Sequence, residues 1–264
     1  MNFESPETIK PSTVKLGIVR LGIIRIGTSG IVVPGAKSTF PEEFQSGSRL
    51  HYYGSLFNTL EINSSFYKIP LAATFEKWTT EVPDNFKFTV KLWRGVTHAK
   101  KLSYTLADID AFMHAANYLG TKKGCLLVQF PASITSEYAK KVEEILQRLN
   151  HLNENGEWRL AIELRHISWY ENNFYAMFDK YNDSVVLHDM PASKTPTDYQ
   201  AKQFAYFRFH GPTGNYKGSY TNEFIQEYAN TIKSYCETGK DIYVYFNNTM
   251  EGALENAQLL QKFI

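Results

Sequence analysis

Residues 159–170 read RLAIELRHISWY, and this stretch decides the fold. Ile162 and Leu164 alternate with other side chains, which is the pattern of a β-strand. The same alternation places Glu163 and Arg165 together on the opposite face of the strand. Burying an unpaired charge costs several kcal/mol. The acid and the base therefore either neutralise each other or a neighbour, or they line a cavity that binds a ligand.

Other stretches of the chain show the same strand character and alternate with helical patterns. The predicted strands are residues 25–28, 59–62, 86–91, 125–130, 159–164, 185–188, 205–209 and 242–246. The predicted helices are residues 49–57, 73–81, 106–119, 136–149, 172–181, 223–237 and 253–263, whereas the segment 191–203 contains proline and is a doubtful helix.

Eight strands that alternate with helices predict a parallel sheet. Eight such units close into a (β/α)8 TIM barrel, an α/β fold with an eight-stranded parallel barrel and outer helices. The alternative is an open doubly wound sheet, which is disfavoured because no G-x-G-x-x-G sequence follows the first predicted strand.

The chain has 264 residues, of which 43% are hydrophobic and 21% are charged, and its formal net charge is +1. This length suits one large domain, so we predict a single barrel over residues 25–264 after a partly loose extension over residues 1–24. Near-copies of LGIVR within residues 16–24 predict an extended segment beside the first strand. The balanced charge argues against DNA binding driven by overall charge, and it leaves a local basic patch open.

The two cysteines, Cys125 and Cys236, have no spacing typical of a zinc or redox motif. Cys125 lies in an apolar run and is predicted to be a core residue. No apolar run is long enough to cross a membrane, and basic residues interrupt the segment 14–26, which is the nearest candidate for a signal peptide. We therefore expect a cytoplasmic protein that does not associate with membranes.

The carboxyl ends of the strands carry the functional site in (β/α)8 barrels. A ring of polar groups around one mouth has a large desolvation cost unless the groups serve a ligand or one another. We therefore predict a binding or catalytic site there. The ligand-binding candidates are Lys91, Trp93, Gln129, Arg165, His188, Asp189, Arg208, Gly211, Tyr216, Asn247 and Asn248.

Glu163 is the predicted catalytic acid or base, with Glu61 and His210 assisting it. Two carboxylates across a mouth would suit glycoside cleavage, but each could instead be neutralised by a nearby lysine or arginine. No cofactor is firmly predicted. If a divalent metal binds, its ligands would be Glu163, His188, Asp189 and His210, although no pair of histidines with helical spacing supports this.

The segment 210–218, HGPTGNYKG, is the most distinctive loop. Its glycines would let the backbone approach a ligand closely, unless they are ordinary turn glycines of a surface loop. Phosphate sites in these barrels commonly use the loops after strands seven and eight. Asn247, Asn248 and the amides around Gly252 would complete such a cradle. With Arg208 and other cations near the mouth, these features predict an anionic ligand that is phosphorylated or contains a sugar or a nucleotide.

Several motifs occur in order at the predicted strand ends, namely IGTSG (26–30), EINSSFY (61–67), LLVQFP (126–131), ELRHISW (163–169), HDMP (188–191), FRFHG (207–211) and YVYFNN (243–248). In these motifs the chain resembles the YecE-like proteins, the family of domain of unknown function 72, over roughly residues 25–264. The resemblance implies a TIM barrel and no established reaction. Such barrels are similar to those of xylose isomerase-like and endonuclease IV-like enzymes, which use metals and act on sugars or abasic DNA. Where the family commonly carries an aromatic residue after the TSG turn, this chain has residues 31–33, IVV, so no stacking role is expected there.

Three classes of function are therefore open. The first is an anion-binding barrel that acts as a hydrolase, a lyase, an isomerase or a sugar-phosphate-type enzyme. The second is a nucleic-acid-binding protein or an endonuclease IV-like, metal-dependent phosphodiesterase. The third is a ligand sensor without catalytic activity. The oligomeric state has no signature in the sequence.

Overall fold

The computed structural model describes residues 20–170, 172–181 and 183–264. Its strands are β1 (Ile24–Thr28), β2 (Thr59–Ile62), β3 (Lys87–Lys91), β4 (Lys123–Phe130), β5 (Arg159–Leu164), β6 (Ser184–Val185), β7 (Leu187–His188), β8 (Phe204–Phe209) and β9 (Asp241–Phe246). Its α-helices are α1 (Glu42–Gln45), α2 (Arg49–Leu56), α3 (Ser64–Tyr67), α4 (Ala72–Thr80), α5 (Arg94–Thr97), α6 (Leu106–Ala116), α7 (Ala139–His151), α8 (Asn172–Asp179), α9 (Asn222–Glu237) and α10 (Ala253–Phe263). Short 3-10 helices span Lys37–Thr39, Lys100–Leu102, Asn117–Lys122, Ser136–Tyr138 and Ile167–Trp169.

The strands form two sheets in which every pairing is parallel. One sheet has the order β2-β3-β4-β5-β6, and the other has the order β1-β9-β8-β7. The predicted α/β class with a parallel sheet and alternating helices is thus confirmed. An isolated parallel bridge between Ser29 and Glu61 connects the ends of β1 and β2, and the chain itself connects β6 to β7.

The sixth predicted strand is divided into two short strands. Val185, in β6, pairs with Ile162 of β5, whereas His188, in β7, pairs with Arg208 of β8. Between them, the Val186 amide still donates a hydrogen bond to the Ile162 carbonyl. The strand is interrupted because its two halves pair with different sheets. The doubtful segment 191–203 that follows contains turns and no helix.

Other boundaries differ by a few residues. The predicted helix 136–149 begins instead with a 3-10 turn over Ser136–Tyr138, and α7 starts at Ala139. The amide of Ser136 donates a hydrogen bond to Ser168 Oγ, a partner on the loop after β5 that local sequence cannot reveal. Residues 1–19, which include most of the predicted extension and residues 16–19 of the near-copies, lie outside the described residues.

The two faces of the strands have different surroundings. Ile162 and Leu164 lie in the large apolar cluster that the helices cover. Ala161 belongs to a smaller cluster that includes Tyr206 and the predicted core residue Cys125, which is fully buried. Because side chains alternate along a strand, Glu163 continues the face of Ala161. The polar strand ends therefore extend this second, inner face.

Among the described residues, no helix is both long and apolar enough to span a membrane.

Candidate ligand-binding site

Arg208, near the carboxyl end of β8, joins two carboxylates from other strands. Its Nη2 donates to Glu61 Oε1 over 2.8 Å, and its Nε also contacts Glu61. Its Nη1 donates to Glu163 Oε2 over 3.0 Å. The arginine is 2% exposed and both carboxylates are fully buried. Since a buried charge is costly without a partner, this ion triad neutralises groups that would otherwise destabilise the inner face.

Glu163 has a second cationic partner, because Arg165 Nε donates to its Oε1. Burial acts to raise the pKa of Glu163, but the charges of Arg165 and Arg208 more than offset it and hold that pKa well below its ordinary value. Burial opposes ionisation at Glu61 in the same way, and Arg208 nevertheless keeps the Glu61 pKa below the ordinary value. Both carboxylates are therefore ionised at neutral pH and already hold several donors.

Tyr206 belongs to the same network, because its hydroxyl donates to Glu61 Oε2. Burial, and then the charge of Glu61, raise the pKa of Tyr206 well above its ordinary value, so the hydroxyl stays protonated. Tyr206 is not among the site residues predicted from the sequence. Its position two residues before Arg208 places it on the same face of β8, and that parity could have identified it.

His210 accepts hydrogen bonds from two arginines at one ring nitrogen. Its Nε2 lies 2.8 Å from Arg165 Nη2 and 3.0 Å from Arg208 Nη1. Guanidinium groups only donate, so Nε2 carries no proton and Nδ1 carries it. Nδ1 lies 3.0 Å from Asp189 Oδ1 and donates to it. Burial lowers the pKa of His210 although Asp189 opposes this, which keeps the ring neutral.

Asp189 is a second junction of the network. One carboxylate oxygen accepts the backbone amide of His210 over 2.8 Å, and the other accepts the Tyr220 hydroxyl. Tyr220 in turn accepts the Gly211 amide over 2.6 Å. Asp189 therefore couples the orientation of the His210 ring to the loop after β8.

We expect Asp189→Asn to change the proton position on His210. An amide nitrogen cannot accept from Tyr220, and an amide oxygen stabilises the Nδ1 proton less than a carboxylate does. The free energy of unfolding should fall by about 1–3 kcal/mol. Nitrogen NMR of the imidazole should show a protonated Nδ1 in the parent protein and a mixture of tautomers in the variant. A parent ring protonated at Nε2 would contradict the assigned network.

His188 is fully engaged with protein groups. Its Nε2 lies 3.0 Å from the Leu164 carbonyl and 2.9 Å from the Tyr170 hydroxyl, and its Nδ1 accepts the Met190 amide. Burial lowers the pKa of His188 to about 4, so the ring is neutral. It packs edge-on against His210, with 6.0 Å between the ring centroids, and so helps to hold the His210 ring in place.

Lys91, at the end of β3, differs from every group above. Its Nζ lies 4.1 Å from the centroid of the Phe66 ring. The residue is only 9% exposed, and among the described residues no hydrogen bond or ion pair reaches its Nζ. Burial, followed by the charge of Arg208, lowers the pKa of Lys91 to about 7. Lys91 is thus a buried amine whose charge changes near neutral pH.

Gln129 and Asn247 also offer unused hydrogen-bonding groups. Gln129 pairs in register with Glu163 at the ends of β4 and β5. The backbone amide of Asn247 donates to the Phe209 carbonyl. Both side chains are largely buried, and neither makes a hydrogen bond to any other residue that the structure describes.

The loop after β8 packs on itself. Gly211 has a φ of +91°, and a Cβ there would overlap the carbonyl oxygen of Lys217. The Tyr216 amide donates to the His210 carbonyl over 2.7 Å, and its ring, 39% exposed, lies 5.7 Å from the His210 ring. The glycine is therefore required by closure of the loop, while Tyr216 stands at the rim of the site.

Trp93 and Asn248 do not join the network. The Trp93 indole packs against Gly95 and is half-buried. Asn248 Nδ2 donates to the Gly218 carbonyl over 2.7 Å and to Asn256 Oδ1 over 3.0 Å, so it supports the rim loop. The amino end of α10, predicted to complete an anion cradle, is packed against Ser219 at Gly252.

The possible metal ligands are committed to other contacts. His210 Nε2 lies 3.9 Å from Glu163 Oε1, but Asp189 contacts the other ring nitrogen. Within residues 20–170, 172–181 and 183–264, no group of three or more His, Cys, Asp or Glu side chains is arranged to hold a metal ion. The described residues thus give no support to the metal option.

Comparison with known proteins identifies the family. Residues 25–264 match the family described as "Protein of unknown function DUF72". The chain belongs to the DUF72 family. This confirms the resemblance to YecE-like proteins: the UPF0759 protein YecE of Escherichia coli K12 is 24% identical over 117 residues, 44% of this chain and 41% of that protein. The UPF0759 protein YunF of Bacillus subtilis is 27% identical over 258 residues, 86% of this chain and 90% of that protein.

Solved DUF72 structures share the fold. A DUF72 protein from Thermotoga maritima is 26% identical with a TM-score of 0.72, and the match covers 91% of this chain and 98% of that chain. A DUF72 protein from Enterococcus faecalis is 24% identical with a TM-score of 0.75, and the match covers 91% of this chain and 95% of that chain. The DUF72 relatives agree with the observed architecture, and their descriptions state no reaction.

Proposed function

We propose that this DUF72 protein is a closed (β/α)8 barrel, formed as one domain, that binds an anionic small molecule at the carboxyl ends of its strands. The bridge between Ser29 and Glu61 supports closure on one side, since it connects β1 with β2. Continuity of the chain through Val186 supports closure on the other side. Counted as two halves of one strand, β6 and β7 pair with β5 on one edge and with β8 on the other, so each of the eight strands then has a neighbour on each edge, as closure requires.

The proposal rests on which polar side chains at the carboxyl ends of the strands already have hydrogen-bond partners and which do not. Glu61 and Glu163 already accept from Arg208 and from further donors. The groups that remain without partners among the described residues include the Lys91 ammonium and the amide of Gln129. A ligand that binds the Lys91 ammonium must supply an acceptor, to which the Gln129 amide can also donate, and anionic oxygens accept most strongly from charged donors.

The roles of the two arginines differ in this proposal. All three guanidinium nitrogens of Arg208 are engaged with Glu61, Glu163 and His210, so Arg208 orders the acids and does not hold the ligand. Arg165 uses Nε and Nη2, and its Nη1 has no partner within the described part of the chain. We assign the anion to Lys91 and Arg165.

We also assign Glu163 the role of general base, in a hydrolase, lyase or isomerase reaction. A base needs an available lone pair, and at rest Glu163 is held by two guanidinium groups. A bound anion would compete for Arg165 and so free Glu163 Oε1 from its shorter hydrogen bond, which leaves that oxygen the 3.4 Å contact with Arg208 Nη1. In this mechanism the ligand activates the base that acts on it.

Calorimetric titration with matched pairs tests the anion site. We expect glucose 6-phosphate to bind with a Kd below about 1 mM and glucose not to bind. Likewise, AMP should bind in this range and adenosine should not. Between pH 7 and pH 9 the affinity for the phosphates should fall at least about fivefold, because Lys91 loses its proton while the phosphate stays a dianion. Equal affinity for the charged and neutral members would refute the proposal. Tighter, steeply salt-dependent binding of an oligonucleotide would favour the nucleic-acid class.

A further inference from the structure

Lys91 is a buried amine that the fold leaves without an acid partner. Lys123 gives the contrast, because it is also 9% exposed, yet its Nζ lies 2.5 Å from Glu157 Oε2. Buried lysines are normally paired in this way, since an unpaired ammonium is costly. Lys91 instead places its Nζ over the face of Phe66.

The acids near Lys91 are occupied by arginines. Glu61 is bound by Arg208 and Tyr206, and Glu163 is bound by Arg165 and Arg208. An arginine stays protonated under all ordinary conditions, whereas a lysine amine can lose its proton when it is buried. The site therefore uses permanent cations to neutralise its carboxylates and leaves the titratable Lys91 amine available at the mouth.

We propose that Lys91 is a nucleophilic amine that forms an imine with the carbonyl group of an anionic aldehyde or ketone, such as an oxo acid or a sugar phosphate in its open form. The inference rests on the proposed anion site: Arg165, whose Nη1 has no partner among the described residues, would bind the charged end of the same molecule, while neutral Lys91 reacts with its carbonyl group. It names the substrate class of that site as carbonyl compounds that carry a carboxylate or a phosphate.

The step balances without any further reactant. The lone pair of neutral Lys91 Nζ attacks the carbonyl carbon, and the carbon–oxygen double bond opens. The oxygen then leaves as water with both hydrogens of the amine, and a carbon–nitrogen double bond remains. Protonation of the imine nitrogen by solvent gives the iminium form, in which the adjacent carbon is activated for proton loss or bond cleavage.

The surroundings of Lys91 favour this chemistry at neutral pH. With a pKa of about 7, roughly half of the amine is unprotonated at pH 7. A lysine with the ordinary value of 10.5 has less than about one amine in a thousand in that form. Lowered amine pKa through burial beside another cation is an established way to activate a lysine nucleophile, and here the cation is Arg208.

Reductive trapping tests the proposal. The full chain is incubated at pH 7 with glyoxylate and cyanoborohydride, and the modified lysines are located by peptide mass spectrometry. We expect Lys91 to be labelled at least about tenfold faster than the equally buried but paired Lys123. Glycolaldehyde, a neutral aldehyde of similar size, should label Lys91 more slowly than glyoxylate does. In Lys91→Arg, the fast phase of labelling should disappear from the whole protein.

The outcomes separate the two proposals. If Lys91 is labelled no faster than Lys123 while glucose 6-phosphate still binds, the imine is refuted and the anion site stands. If Lys91 is labelled rapidly by both aldehydes and no phosphate binds, the reactive amine stands and the anion site is refuted. If neither labelling nor binding is seen, both proposals are wrong.

Discussion

Replacing Arg208 with methionine is expected to lower the free energy of unfolding by about 3–5 kcal/mol at pH 7.5. Arg208 is the shared partner of Glu61 and Glu163, which are both fully buried. Without it, Glu61 keeps uncharged donors such as the Tyr206 hydroxyl among the described residues, and a buried carboxylate with no cation is very unfavourable. Urea denaturation of the parent and the variant measures the difference.

The sign of the pH dependence should reverse in this variant. In the parent, the pKa values of Glu61 and Glu163 are depressed, so their stabilising effect is present above the unfolded value of about 4.3 and is lost as the pH falls through the folded values. Without Arg208, burial dominates and raises the pKa of Glu61. The folded variant then binds more protons than the unfolded chain, so it should regain at least about 1 kcal/mol between pH 8 and pH 5.5.

Arg148→Met is the matched control, because Arg148 makes a bidentate pair with Asp110 at the surface. Exposed pairs contribute about 0–1 kcal/mol, so this variant should remain close to the parent. Combining Arg208→Met with Glu61→Gln and Glu163→Gln should recover at least half of the lost stability, since the unpaired charges are removed. A loss for Arg208→Met no larger than that for Arg148→Met would show that the buried triad has been assigned wrongly.

Replacing Lys91 with methionine is expected to weaken anion binding by about 10- to 100-fold at pH 6.5. A hydrogen bond to a charged group contributes about 1.5–3 kcal/mol, and the variant loses both the donor and the charge. The remaining donors at the mouth, among them the Arg165 side chain, account for the residual affinity. Calorimetry with glucose 6-phosphate measures the change, and an unchanged affinity would remove Lys91 from the binding site.

The same substitution should make the protein more stable. Methionine replaces a buried amine that has no acid partner and can pack its sulfur on Phe66, so a gain of about 1–3 kcal/mol at pH 6.5 is expected. A residue that had been retained for stability would behave in the opposite way. The combination of higher stability with lost binding is the signature of a group that serves a ligand.

The stability of the parent should also depend on pH through Lys91. Its folded pKa of about 7 lies below its ordinary value of 10.5, so the unfolded chain binds more protons between these values. Stability therefore rises with pH from about 7 to 9, by up to about 1.4 kcal/mol per pH unit from this group. Lys91→Met should lack this rise. The difference between the two proteins separates the effect of Lys91 from that of the charged and titratable groups near it, which include Glu61, Glu163, Arg165, Arg208 and, against the same Phe66 ring, Arg94 and His98.

Lys123→Met is the control for both effects. Lys123 is as buried as Lys91, but it is paired with Glu157 and lies at the opposite end of the strands. Its removal should leave phosphate binding unchanged and should not increase stability, since it leaves Glu157 without its partner. If the two lysine variants changed phosphate affinity and stability equally, burial alone, and not the missing acid partner, would account for the effects of replacing Lys91.

The sequence by itself determined the elements and the faces of this protein. Short runs rich in apolar, β-branched and aromatic residues mark the strands, and the two-residue period of a strand places Glu163 with Arg165 and Arg208 with His210, as the structure has them. Those predictions succeed because side-chain direction in a strand depends only on the local backbone. The family followed from the same strand ends, whose motifs are local in the chain.

The pairing of the charges was decided only by the tertiary structure. Arg208 reaches Glu61 from 147 residues away, and this contact depends on strand order and register, which bring distant side chains within 3 Å of each other. The sequence predicts three cations, Lys91, Arg165 and Arg208, near the two acids Glu61 and Glu163. It does not show which of the three cations has no acid partner. The fold pairs both acids with arginines and leaves Lys91 on an aromatic face, because distances between side-chain ends are set by the packing of strands and not by spacing along the chain.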